Sequence, residues 1–206
     1  MIALRSLLPL LLLPLLAGCV SQTIKSTSVP AIVGSSEEIP EALLMDVGIA
    51  IFDPGIDDYD EGEDERIYPE VRLAEARYIP NLLSQAMQQS GAWGAVRVVP
   101  ESGRITDLNI NGKILHSDGE ELQLHILAVD SRGYQWLDKT YTGNASRYAY
   151  QASTRQQYDP FQAVYNTIAN DLVTAQGKLR QEDRQNVRLV TELLFAQGFS
   201  QEPFDG

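Results

Sequence analysis

The chain has 206 residues, 16 Lys+Arg against 28 Asp+Glu for a formal charge of −12, and one cysteine. That acidity excludes binding of nucleic acid or anionic phospholipid by charge alone, and a single cysteine excludes an internal disulfide. The length allows one domain with a real core.

Residues 1–18 divide like a secretory signal. Arg5 is a short positive region, and Leu7 to Leu16 form an apolar stretch interrupted only by Pro9 and Pro14. The stretch falls short of the about 20 apolar residues that span a bilayer and suits a segment removed on export. It ends in Leu16-Ala17-Gly18-Cys19, which resembles the lipobox of bacterial lipoproteins. The resemblance implies cleavage before Cys19, diacylglycerol on its thiol, and acylation of its new amine by palmitate or a similar chain. Two or more chains give stable anchoring. Val20-Ser21 are not the aspartate that often retains lipoproteins in an inner membrane, so the resemblance implies the periplasmic face of the outer membrane. Removing the signal, which holds one basic and no acidic residue, leaves 188 residues and a formal charge of −13.

Val20 to Glu41 are rich in Ser, Thr, Pro and Gly. With Cys19 and the residues up to 44, they read as a lipidated, flexible tether whose coil dimension is roughly 25 Å. An α/β domain is expected over 45–178, then a C-terminal helix and tail over 179–206. Asp46 to Asp53 enclose an almost wholly apolar strand, as if covered on both faces. Asp53 to Glu65 hold eight acidic residues in thirteen and read as an exposed loop. A helix carries Ile79, Leu82, Leu83, Ala86 and Met87, with Pro80 placed near its start and Gly91 as its stop. Val96 to Val99 are a further strand.

Alternation over 108–114 and 122–128, with turns at Asp118-Gly119 and Asp130 to Gly133, predicts an antiparallel meander ending in Trp136 to Thr142. Asp159-Pro160 cap the next helix, whose buried stripe is Phe161, Val164, Tyr165, Ile168, Leu172 and Val173. Val187, Val190, Leu193 and Leu194 mark a weaker amphipathic helix ending near Gly198. The fold class is α/β (α+β), a single domain with helices packed on a mixed sheet.

This order resembles an envelope group that includes the TolB amino-terminal domain, curli-secretion lipoproteins, penicillin-binding-protein activator lipoproteins and ABC-transport auxiliary lipoproteins. The likeness is carried by Val47 to Phe52, Ser90 to Trp93, Asp107 to Ile114 with Leu122 to Asp130, and the helix Phe161 to Leu172. It implies an adaptor that binds other proteins, and it carries over no binding residue.

The sequence supplies no catalytic signature. There is no Gly-x-Ser-x-Gly elbow and no Gly-rich phosphate loop, and no cofactor is expected. His116 and His125 flank a turn, but matching Leu124 with Ile114 and Ile126 with Gly112 across a three-residue loop sends them to opposite faces. No shared metal site is expected. The acidic run 57–65 fails the ligand spacing of a calcium-binding EF-hand loop and reads as a solvated loop that contacts calcium weakly or a basic partner. Trp136, Tyr141, Tyr148, Tyr150 and Tyr158 are aromatics of the kind favoured at interfaces. Trp136 and Tyr141 also suit a core. The candidate partner-binding residues are Trp136, Tyr148, Tyr150 and Tyr158, beside the lipidation site Cys19.

The expectation is a non-enzymatic, membrane-anchored protein-binding adaptor or accessory subunit of an envelope assembly or transport system. A self-assembling secretion-pore subunit is the alternative, although Lys113, Asp138 and Lys139 would burden the lipid face of membrane-crossing hairpins. A small-ligand binder or hydrolase has no specific support.

Overall fold

The structure, a computed structural model, describes residues 20–25, 29–35, 39–56, 68–101, 105–145, 150 and 159–200. Its strands are β1 (Val20–Lys25), β2 (Val47–Ala50), β3 (Val96–Val99), β4 (Leu108–Ser117), β5 (Glu121–Asp130) and β6 (Gln135–Asn144). Its helices are α1 (Pro69–Gln89), α2 (Gln162–Gly177) and α3 (Gln181–Ser200). One six-stranded mixed sheet runs β1-β6-β5-β4-β2-β3. The antiparallel meander β4–β5–β6 is flanked by parallel pairings of β1 with β6 and of β2 with β3 and β4. All four β2 residues are buried, as an apolar run without alternation requires.

Alternation places Leu108, Ile110, Ile114, Leu122, Leu124, Ile126, Ala128 and Tyr141 in the core with Ile79, Leu83 and Met87 of α1 and Val164, Ile168 and Leu172 of α2. Ile114 pairs with Leu124 and Gly112 with Ile126, the register that apolar matching demands. A Cβ on Gly112 would lie 2.5 Å from the Phe52 ring, so a glycine there admits the aromatic.

Pro80 sits twelve residues into α1 rather than near its start. Proline lacks the N–H that would reach the carbonyl of Ala76, four residues back. That carbonyl instead accepts the backbone N–H of Phe52 at 2.9 Å, which ties the helix to the chain leaving β2. The second helix also begins later than expected. Asp159 accepts the Phe161 N–H at 2.9 Å in a turn, and helical geometry starts at Gln162.

The flexible tether is corrected over its described part. Gln22 pairs with Tyr141 and Ile24 with Gly143 in β1, and Ile24 is buried. Asn166 and Asn170 of α2 then donate to the carbonyls of Pro30 and Ala31 at 2.7 and 2.9 Å, while Asn170 accepts the Val33 N–H. Val29 and Ile32 pack on the core. Side-chain amides replace the secondary-structure bonds that a Ser/Pro-rich strap cannot make itself.

The C-terminal helix is not separate from the domain. Val187 is buried, its carbonyl accepts Ser131 Oγ at 2.7 Å, and Arg188 lies 3.8 Å from Asp107.

Candidate functional site

The strand directions give the sheet two different ends. β2, β4 and β6 all start at one end, where α3 lies across Asp107 and Ser131. They run toward the other, where α1 and α2 begin. The features singled out in the sequence fall mostly at this second, distal end.

There Asp53 forms a bridge to Lys113: its N–H donates to Gly112 O at 2.8 Å, and its carbonyl accepts the Ile114 N–H at 2.9 Å. Lys113 Nζ stands 3.7 Å from Asp53 Oδ2. The acidic loop entered at this point lies outside the described residues over 57–67.

Beside it, Arg72 of α1 is buried. Its Nη1 is 3.5 Å from Ile114 O, and its Nε has no hydrogen-bond partner. Burial lowers its pKa, while Glu75 and Asp118 act in the opposite sense. Ser117 Oγ donates to Glu75 Oε1 at 2.7 Å. Asp118 Oδ1 accepts the N–H groups of Glu120 and Glu121, both at 2.8 Å. The Glu121 bond, more than any other, holds its carboxyl below the usual carboxylate range. Tyr165 is buried and linked to Asp159; burial raises both pKa values. The cluster clasps the first turns of α1 to the β4–β5 turn. Ser117 has a carboxylate partner and no imidazole partner, which is a structural bond rather than the pairing that activates a nucleophile.

The histidine geometry differs from the sequence expectation. A bulge between Ile114 and His116 pairs His116 with Gln123, leaving Leu115 exposed. The extra residue reverses the face of all that follows it, so His116 lies on the same face as Gln123 and His125. Each histidine has its own carboxylate: His116 is 3.4 Å from Asp118, and His125 is 2.7 Å from Asp138. Among the described residues, no group of three or more His, Cys, Asp or Glu could hold a metal ion.

The aromatic candidates separate. Tyr150 is exposed, and its hydroxyl donates to Gly119 O in the distal turn. Trp136 lies at the opposite end and is committed to the fold. Its Nε1 donates to Asp130 Oδ2 at 3.0 Å, and its ring stands 6.3 Å from that of Trp93. Asp130 also accepts from Arg132 and from the Tyr134 N–H. Tyr141 is fully buried, its hydroxyl donating to Asp171 at 2.7 Å. Cys19, Tyr148 and Tyr158 lie outside the described residues.

Lys139, expected as an outward charge, turns inward to Asp171 at 2.7 Å and lies 4.8 Å over the Tyr141 ring. Where α2 ends and α3 begins, the strap and the two helices line a cavity of about 420 Å³, with Val33, Pro40, Leu43, Val173 and Arg184 among its walls.

Sequence reasoning missed two things here. The Arg72–Glu75–Ser117 clasp had only the i, i+3 spacing of Arg72 and Glu75 as a signal. The other is the exposure of apolar side chains on α3: the predicted stripe held Val187, Val190, Leu193 and Leu194, of which Leu193 and Leu194 are exposed, and it left out the exposed Leu189 and Phe195.

The fold defines a class: one α/β domain, a mixed sheet with an antiparallel meander and helices packed on it. No protein-family model matches the chain, and no curated protein matches it. A solved PelC dodecamer from Paraburkholderia phytofirmans is similar at 13% identity and a TM-score of 0.39, over 70% of this chain and 93% of that one.

Proposed function

We propose that the chain is a bacterial envelope lipoprotein, lipidated on Cys19, that acts as a non-enzymatic adaptor or accessory subunit by binding a protein partner. The observation that carries this reading is the polarity of the fold. β1 begins one residue after Cys19 and is paired from its first residue, Val20 with Lys139. A lipid on Cys19 is therefore coupled to the sheet edge without slack, and the distal turn with Tyr150 points away from the anchor. Exposed Tyr is suited to interface anchoring, and the acidic loop entered at Asp53 adds charge that favours a basic partner surface. No helix of the described residues is long and apolar enough to cross a membrane.

The pore alternative calls for hairpins with one lipid-facing side. In this fold the inner face of the meander packs on α1 and α2, and its outer face carries Lys113, His125 and Asp138. The adaptor reading needs no such uncovering.

A photocrosslinker at Tyr150, in cells making the full chain, tests the reading. A discrete adduct whose mass spectrum names an envelope protein is expected. Absence of any adduct across growth conditions would contradict it, and a large discrete ring in detergent would favour the pore subunit.

A further inference from the structure

The cavity where α2 ends and α3 begins holds about 420 Å³, within the roughly 300–1,000 Å³ of pockets that take small ligands. Part of its wall is apolar: Leu43 and Val173 are buried there, beside Pro40. Val33 and Thr174, in the same walls, are exposed, so the cavity is open to solvent.

Two of its polar side chains are engaged elsewhere. Thr174 Oγ1 donates to Asn170 O and Gln176 Nε2 to Ala92 O, both at 2.8 Å. Arg184 is different. Its Nη2 donates to Gln176 O at a long 3.3 Å, and its Nε is buried with no hydrogen-bond partner. Gln176 O already accepts the Leu179 N–H at 3.0 Å, so satisfying that carbonyl does not account for the arginine. Nearby arginines have carboxylates: Arg132 has Asp130 at 2.7 Å, Arg180 has Asp183 at 3.2 Å, and Arg188 has Asp107 at 3.8 Å. Among the described residues Arg184 has none within 4.0 Å, in a chain with 28 Asp+Glu. A half-buried guanidinium that lacks an acceptor is costly, and its planar fork matches a carboxylate.

We propose that this cavity binds a small organic carboxylate, its anion on the Arg184 guanidinium and its apolar part against Leu43 and Val173. The last turn of α2, Val173 to Gly177, lies along the cavity with the negative end of its dipole, which favours a singly charged head over a phosphate. The site is independent of the lipid anchor and of the distal end.

The test uses the full chain in lipid nanodiscs and the fluorine NMR linewidth of 4-(trifluoromethyl)benzoate, with the matching benzyl alcohol and benzylamine as neutral and cationic controls. Empty nanodiscs give the signal from membrane partitioning. The benzoate should bind at least about tenfold more tightly than the alcohol, the amine should not bind, and inorganic phosphate should not displace the benzoate. Arg184→Gln should weaken benzoate binding at least about tenfold and abolish its preference over the alcohol. Thr174→Phe, which puts bulk into the wall, should weaken both; melting curves show that each variant is folded, and if Arg184→Gln does not fold, Thr174→Phe decides. No benzoate binding above empty nanodiscs would overturn the proposal. So would equal binding of acid and alcohol, displacement by phosphate, or an unchanged affinity in a folded variant.

Discussion

Asp118 shows how one side chain sets a turn. Its Oδ1 accepts two backbone N–H groups at 2.8 Å, its Oδ2 faces His116, and its pKa is depressed chiefly by the Glu121 N–H. A carboxylate held below its ordinary range stabilises the fold fully above that range, and the contribution is lost as pH falls through the folded-state pKa. Asp118→Asn should therefore cost about 1 kcal/mol at neutral pH. The gap to wild type should close as acid protonates Asp118, which urea titrations at several pH values would show; a gap independent of pH would contradict it. At the other end, the Asp130 side chain is fully buried among donors from Arg132, Tyr134 and Trp136. Asp130→Ala should cost roughly 3 kcal/mol, because it leaves the Arg132 guanidinium and the Trp136 N–H without their acceptor. Urea unfolding would read this loss. At this scale the sequence told which residues were aromatic or charged, but not their partners. Trp136 was legible both as core and as interface, and its bond to Asp130, six residues away, was not. The face of His116 was not legible, because a one-residue bulge at Leu115 alters neither composition nor alternation on the strand before it.

The meander was the most legible set of elements, since alternation over 108–114 and 122–128 admits one register that buries apolar residues on apolar residues. β1 was not legible. Among the described side chains of Val-Ser-Gln-Thr-Ile-Lys, Ile24 is the one deeply buried apolar group, and the polar Gln22 takes an inward place beside Lys139. The true length of α1 was hidden by Pro80, because the carbonyl it orphans finds Phe52 only in the fold. Two predictions follow from these placements. Replacing Val20–Lys25 with a Gly/Ser linker in the full chain should cost at least about 2 kcal/mol, the worth of burying Ile24. A free tether would show no change on denaturation. Gly112→Ala should cost about 1–3 kcal/mol by driving a methyl into the Phe52 ring, read as a lower Tm. An unchanged Tm would mean that β2 and β4 are not held at this spacing.

At the scale of the molecule, the fold separates the end at which β1 starts from a far one. Cys19 leads directly into the edge strand, α3 closes the near end of the sheet, and the Asp53 bridge, the Arg72 clasp and Tyr150 stand at the far end. Single-domain architecture was legible because its core is written in period-2 and period-3.6 patterns. The polarity was not, because it depends on β1 pairing parallel with the last strand, each residue with a partner 119 positions along the chain, as Val20 with Lys139. The far-end cluster was legible only in pieces: an acidic run, a histidine and a tyrosine, with no motif to join them. The central claim is that Cys19 carries the membrane anchor on which this polarity rests. Mass spectrometry of the mature amino-terminal peptide tests it most directly. The account predicts that Cys19 is the first residue and bears a diacylglycerol thioether with its amine acylated; a free thiol at Cys19, or a mature chain beginning elsewhere, would contradict it.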